Sequence, residues 1–282
     1  MKIIFVILGI LGIIIILLAL SIAIGSITFK QKVKGEVKEL LKKSKEIEPE
    51  IVQEEDLDGL PEPVQRHLRY AQVIGKEKIK TVRLKYKGYF RQEPEQKWLP
   101  LQAEQYYTTD PPAFIWHGRI QFVPFLSIKA RDMYREGKGN MLIKLLSLFT
   151  IADAKGKEMD QGTLLRYLNE MMWFPTAYLN DNIQWEAVDS NSAKVTMSDH
   201  ENTVSAVLHF NKKGEIKNFV AERYREVKGQ FFMDTWSTPN HEYKEINGIW
   251  IPAKGEGVWN LESGDFSYIQ LEIIDIEYNT PL

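Results

Sequence analysis

The chain has 282 residues, a formal net charge of −2, 44% hydrophobic and 26% charged residues, and no cysteine. Near-neutral charge with Lys and Arg spread along the chain excludes a nucleic-acid surface built on a basic stripe. The lack of cysteine excludes disulfides, thiolate metal sites, cysteine nucleophiles and a lipid-modified N-terminal cysteine.

Residues 3–29 carry no charge and are dominated by Ile and Leu, enough to cross a ~30 Å hydrocarbon core as a helix. Ser21-Ile22-Ala23 and Ala23-Ile24-Gly25 could be cut by a signal peptidase, but a cleaved signal has an apolar core of only ~7–15 residues. The expectation is therefore an uncleaved single-pass anchor over residues 1–29, with the lipid bilayer as its partner. Lys2 stands alone before it, while Lys30, Lys32, Lys34, Lys38, Lys42, Lys43 and Lys45 crowd the other side. By the positive-inside rule that count favours a cytoplasmic body, although long domains translocate against such a bias.

Residues 30–48 repeat Val33, Val37, Leu40, Leu41 and Ile47 at roughly helical spacing, which predicts a juxtamembrane amphipathic helix. Glu36 and Glu39 sit among its lysines, so it reads as a solvated stalk rather than a headgroup-binding surface. Glu48-Pro49-Glu50 ends it and an acidic linker follows, so 30–59 is read as helix plus linker and 60–282 as a single domain. Leu60-Pro61-Glu62-Pro63 opens a short helix with Val64, Leu68 and Ala71 on one side.

From Lys78 the hydrophobic period becomes two. Val82, Leu84, Tyr86 and Phe90 alternate with Arg83, Lys85 and Lys87, and Leu99, Leu101, Ala103 and Tyr107 alternate with Gln102, Glu104 and Tyr106. Such alternation predicts antiparallel strands with one wet face. Residues 114–122, 125–135 and 141–151 are further candidate strands, and 142–149 also fits a buried helix. The one strongly helical stretch of the body is 160–179. Asp160 is its candidate cap, Leu164, Leu165, Leu168, Met171 and Met172 form its apolar stripe, Arg166 and Glu170 share its opposite face, and Trp173-Phe174-Pro175 stops it.

Strands then resume at 185–189, 193–198, 204–210, 216–227, 242–246, 249–252, 259–261 and 266–278, joined by short turns. Asn247-Gly248 is the strongest hairpin signal among them. Ile269, Leu271 and Ile273 are in one phase of the last strand and Ile274, Ile276 and Tyr278 in the other, which predicts a bulge. About a dozen strands exceed what one flat sheet holds comfortably. The expected fold is mainly β (α+β): a transmembrane helix, then a curved antiparallel sheet or half-barrel with one helix on its concave face.

The run LPEPVQRHLRYA, GYFR with Trp98, AEQYYTTDPPAFIW, GKGNM, LLRYLNEMMWFP and NGIWIPAKGEGVW with Phe266 and Tyr268 resembles a family of bacterial membrane-anchored proteins of unknown function. That resemblance covers residues 60–278 and implies no activity. The strand order and the hairpin at 243–252 are also similar in pattern to the lipoprotein-carrier (LolA/LolB-like) half-barrels. This second likeness implies acyl-chain binding between a curved sheet and a helical lid, and an extracytoplasmic body.

Motifs for chemistry are sparse. His67, His117, His200, His209 and His241 lack a helical metal-ligand spacing. Ser198-Asp199-His200-Glu201 is too compact to form a nucleophile–base–orienter line. Gly137-Lys138-Gly139 lacks the spacing of a phosphate loop, so no cofactor is expected. Residues 222–226 put charge on both faces of one strand, which calls for an edge or a polar cavity.

The function read from the sequence is a membrane-anchored binding module for a lipid or other amphiphile. Leu164, Leu168, Met171, Met172 and Trp173 are expected as the apolar wall, and Arg166, Glu170 and Arg223 as the polar mouth. Two alternatives stay open: an envelope-acting hydrolase using Glu170 as acid or base, and a protein-docking module without a ligand.

Overall fold

The computed structural model describes residues 2–42, 48–123 and 126–280. Its elements follow the hydrophobic period along the chain. An apolar run with helical spacing gives α1 (Lys2–Lys42), and a second short helix, α2 (Glu62–Tyr70), follows the prolines at 61 and 63. Alternating segments then form β1 (Thr81–Phe90), β2 (Leu99–Thr109), β3 (Pro112–Val123), β4 (Leu126–Arg135), β5 (Lys138–Leu145) and β6 (Phe149–Ala154). Helix α3 (Lys157–Glu170) interrupts them and runs into 3-10 turns at Met171–Trp173 and Pro175–Leu179. The chain closes with β7 (Ile183–Asp189), β8 (Ser192–Asp199), β9 (Asn202–Phe210), β10 (Ile216–Val227), β11 (Gln230–Ser237), β12 (Asn240–Ile246), β13 (Ile249–Leu261) and β14 (Gly264–Tyr278).

All fourteen strands belong to one antiparallel sheet that stays open at β6 and β7. Thirteen lie on one path, in the order β6-β5-β4-β3-β2-β1-β14-β13-β11-β10-β9-β8-β7, and β12 pairs with the first half of β13. Two meanders are thus joined where β1 meets β14, and α3 packs against β4 and β5 of one arm and β9 and β10 of the other. A sheet of this size curls rather than staying flat, and bulges place the bends. In β14 the ladder steps from Asp275 opposite Lys85 to Ile273 opposite Tyr86, leaving Ile274 as the extra residue. Ile273 and Ile276 are buried and Ile274 is 58% exposed, so the phase change visible in the sequence is the bulge.

The concave face holds the main core. Val82, Leu84 and Tyr86 of β1 are at most 2% exposed, while Arg83, Lys85 and Lys87 face out and pair with Glu277, Asp275 and Glu272 across the ladder. Residues 141–151 are neither one strand nor a helix. They form β5, a reversal through Leu146 and Ser147 at φ 53° and 62°, and β6. Helix α3 begins three residues before Asp160, which instead accepts hydrogen bonds from the Gly139 amide at 2.7 Å and Lys138 Nζ at 3.0 Å.

The segment expected as a solvated juxtamembrane stalk is not solvated. It continues α1 without a break, and Phe29, Val33, Val37, Leu40 and Leu41 bury against Ala113, Ile115 and Leu142 on the convex face of the sheet. Glu36 and Glu39 serve this docking, pairing with Arg131 and Arg135. The physical reason is that β3 is apolar on both faces, so its outer side also needs cover. Lys43, Lys45 and Ile47 lie outside the described residues. Beyond them the linker joins the body early: Val52 and Leu57 are fully buried, and the Val52 amide donates to the Lys76 carbonyl at 2.9 Å.

His67 of α2 is 1% exposed, with Nδ1 2.8 Å from the Gly214 carbonyl oxygen. Burial lowers its pKa to about 4 against the opposing pull of that carbonyl. An unfolded histidine titrates near ~6.5, so this burial contributes stability above that pH and the contribution is lost as pH falls toward the folded pKa. The expected loss is up to about 3 kcal/mol between pH ~6.5 and ~4. Urea unfolding across that window checks it, and His67→Gln, which keeps a donor and cannot take the proton, should flatten the slope.

Candidate functional site

Between α3 and the concave face lies a cavity of about 260 Å³. Its walls are mostly apolar. Tyr86, Phe90, Leu101, Trp116 and Ile120 come from β1 to β3, Met172 and Trp173 from the turn after α3, and Ile269, Leu271 and Ile273 from β14. Gly118 is required here, because a Cβ on it would lie 2.4 Å from the Trp116 ring. Two arginines interrupt the apolar lining, and their surroundings differ.

Arg166 points from α3 into a closed polar cluster. Its Nη1 donates to Asp132 Oδ2 at 2.7 Å, its Nε to Glu170 Oε1 at 2.8 Å and its Nη2 to Gln105 Oε1 at 3.1 Å. Glu170 Oε2 accepts from Gln105 Nε2 at 2.7 Å and the Tyr107 hydroxyl at 3.1 Å. The guanidinium also lies 5.2 Å from the ring centres of both Phe114 and Trp116. Burial opposes its charge, but the Glu170 and Asp132 carboxylates outweigh that and hold its pKa well above the usual arginine range. Burial pushes the Tyr107 and Tyr86 hydroxyls up in pKa, so both stay neutral; Tyr107 donates to Glu170, and Tyr86 accepts from Trp116 Nε1. With two carboxylates around one guanidinium, the cluster is closed to an incoming anion. Asp132 Oδ1 is buried without a hydrogen-bond partner.

Arg223 stands on the other side of the cavity with no carboxylate partner among the described residues. It stacks over Trp236 at 4.5 Å and Trp259 at 5.8 Å. Among the described residues its only hydrogen bonds are long ones, to the Tyr268 hydroxyl at 3.5 Å and the Gly162 carbonyl at 3.4 Å, and its Nε is buried without a partner there. This arginine has donors to spare. Beyond Val220, β10 parts from β9 and keeps only β11, so the charged stretch 222–226 is both a local edge and, at Arg223, a cavity wall.

Of the residues singled out from the sequence, Arg166, Glu170, Met172, Trp173 and Arg223 line the cavity. Leu164, Leu168 and Met171 do not. They are at most 1% exposed and belong to the continuous core, because α3 is wedged between the two arms and buried on nearly all sides. Arg166 and Glu170 are not at a mouth: their side chains are 16% and 6% exposed, packed deep against β2 and β4. Gln105 and Asp132 were missed, although both occur in the inward phase of their strands, Gln105 between Ala103 and Tyr107 and Asp132 between Ala130 and Tyr134. Among the described residues no group of three or more His, Asp or Glu side chains is arranged to hold a metal ion.

Removing one partner of a buried ion cluster strands the others, typically at about 3–5 kcal/mol. Arg166→Met is expected to lose stability on that scale in urea unfolding. Adding Asp132→Asn and Glu170→Gln should return much of the loss, a non-additivity that an exposed ion pair would not show.

A search of curated proteins finds no match to the chain. Among solved structures, the chain is similar to a DUF1329 family protein from Desulfovibrio piger, with a TM-score of 0.45 and 12% identity over 78% of this chain and 93% of that one. It is also similar to a domain assigned as an outer membrane lipoprotein-sorting protein from Vibrio parahaemolyticus, with a TM-score of 0.35 and 10% identity over 72% of this chain and 87% of that one. A protein-family model matches residues 50–271, which take in α3, both arginines and the sheet up to the middle of β14. The chain belongs to the family of unknown function DUF6544.

Proposed function

We propose that this protein is a membrane-anchored binding module for an amphiphile with an anionic head and an apolar body. The observation that carries this reading is the cavity itself, an apolar chamber holding one arginine, Arg223, with unspent donors on an aromatic shelf. A phosphate or carboxylate head fits the Arg223 guanidinium through charge-assisted bonds. The apolar body fits along Tyr86, Leu101, Met172 and Trp173, and the buried Asp132 oxygen suits a hydroxyl placed farther along the ligand. Ligand pockets of this kind combine an apolar wall with a few fixed polar groups.

Helix α1 is a candidate membrane span or signal sequence. We read it as an anchor, because its uncharged run over residues 3–29 exceeds the ~7–15-residue apolar core of a cleaved signal; the same unbroken helix carries the Phe29, Val33 and Val37 stripe that docks on the sheet. Cleavage near Ala23 or Gly25 would still leave that stripe, so the test is direct: the mature protein from membranes should keep its N-terminal residues by intact mass.

The hydrolase reading gains little from the geometry. Both oxygens of Glu170 are engaged, by Arg166 on one side and by Gln105 and Tyr107 on the other, and acid or base work would require those bonds to break.

The binding reading is tested on the full chain, purified in a non-ionic detergent and released into the gas phase intact. The wild type is expected to retain a discrete amphiphile mass. Arg223→Leu should weaken retention roughly 10- to 100-fold, the loss of one charge-assisted contact, and Met172→Asp should block the apolar wall. An empty, folded wild type would set the reading aside.

A further inference from the structure

One end of the sheet leaves apolar side chains bare where a rim in water would be polar. The end of β3 exposes Phe122 and Val123 at 48% each, and the start of β6 exposes Phe149 and Ile151 at 59% and 54%. The register sets these positions side by side: Val123 lies opposite Leu126, Ile128 opposite Leu145, and Leu145 opposite Phe149.

The same end meets α1 at a definite height. A Cβ on Gly25 would lie 2.8 Å from the Ser147 carbonyl oxygen in the β5–β6 turn, and Lys129 of β4 donates to Ser26 Oγ. From Ile3 to Gly25 a helix rises roughly 33 Å, the depth of a bilayer's hydrocarbon core at ~30 Å. If that stretch spans a bilayer, the membrane surface falls at the level of these turns.

One rung further in, the charges are arranged to match. Arg119, Lys129 and Lys144 stand directly opposite one another on β3, β4 and β5. They share the convex face with α1, and Lys30 of α1 repels Lys129. Like charges in register on neighbouring strands are destabilising, and none of the three has a carboxylate partner among the described residues. An external layer of anions would relieve that repulsion. Inside, Phe90, Ile120, Ile143 and Ile269 line the part of the cavity nearest this end, while α3 fills the opposite end, its Tyr167 hydroxyl donating to the Thr108 carbonyl at 2.8 Å.

We propose that this end of the sheet is a bilayer-docking surface. The tips around Phe122, Val123, Phe149 and Ile151 enter the edge of the hydrocarbon. The row Arg119, Lys129 and Lys144, with Lys30, takes anionic headgroups, and the apolar end of the cavity faces the lipid. The proposal rests on the reading of α1 as a span and is separable from it by experiment.

The chain has no cysteine, so a single introduced one carries a fluorophore without background. The full chain is reconstituted into mixed phosphatidylcholine–phosphatidylglycerol vesicles containing acyl-brominated lipid, labelled in turn at Ile14→Cys in α1, Phe149→Cys at the tip and Lys213→Cys in the turn at the far end of β10. Strong quenching is expected at the first two positions and none at Lys213→Cys. Quenching at Ile14→Cys without any at Phe149→Cys overturns the docking surface and leaves the span. Quenching at neither overturns both. The charged row is tested by adding Arg119→Gln and Lys144→Gln to Phe149→Cys, which should reduce tip quenching in the anionic vesicles to its value in pure phosphatidylcholine. Equal quenching of the unmodified row in the two lipids would overturn the headgroup contact while keeping the apolar one.

Discussion

A guanidinium buried in an apolar fold has to be matched by charge and hydrogen bonds on every side, and Arg166 sets that requirement for the centre of this molecule. It takes a carboxylate from its own helix, a carboxylate from β4 and an amide from β2. Those groups fix the rotation of α3 about its axis and its distance from both strands. An apolar stripe alone would tolerate sliding, whereas a bond set of this kind does not. Once α3 is held against one arm of the sheet, its remaining faces determine where β9 and β10 can come, and the cavity is the space left between.

The two arginines of that space divide the labour. Arg166 is spent on structure and Arg223 is left underbonded, resting on tryptophan faces that favour a cation without satisfying its donors. The sequence offered both as candidates for the polar mouth. Only their neighbours across the sheet, 61 and 34 residues away for Arg166, separate a structural cation from one free to meet a ligand.

Much of the fold was legible because a half-exposed strand writes its orientation as alternation. β1, β2, the Asn247-Gly248 hairpin and the bulge at Ile274 are all visible that way. Other features were not. β11 was missed because Phe231, Phe232 and Met233 are consecutive and exposed, so they show no period. The β5–β6 reversal was missed because Leu146 and Ser147 take positive φ without a glycine to signal it. The docking of α1 was missed for want of its partner, yet the signal existed in β3, where Ala113, Phe114, Ile115 and Trp116 are buried in succession and so demand cover on both faces. At the site, Gln105 and Asp132 broke the apolar phase of their strands, and a polar residue in an inward phase marks a buried network.

The pairing of β1 with β14 has a consequence for synthesis. Val82 lies opposite Tyr278, so the seam between the two arms joins nearly the first and the last residues of the body. The leading arm, β6 to β1, can assemble as local hairpins while the ribosome is still working, but its β1 edge stays open until the terminal strand emerges. Open edges recruit foreign strands, and contacts of such long sequence separation form slowly. Lys85 and Lys87 along that edge, before Asp275 and Glu272 arrive to pair with them, give the nascent chain like charges that repel its own copies until the sheet is sealed, while Arg83 is already held by Glu104 of β2.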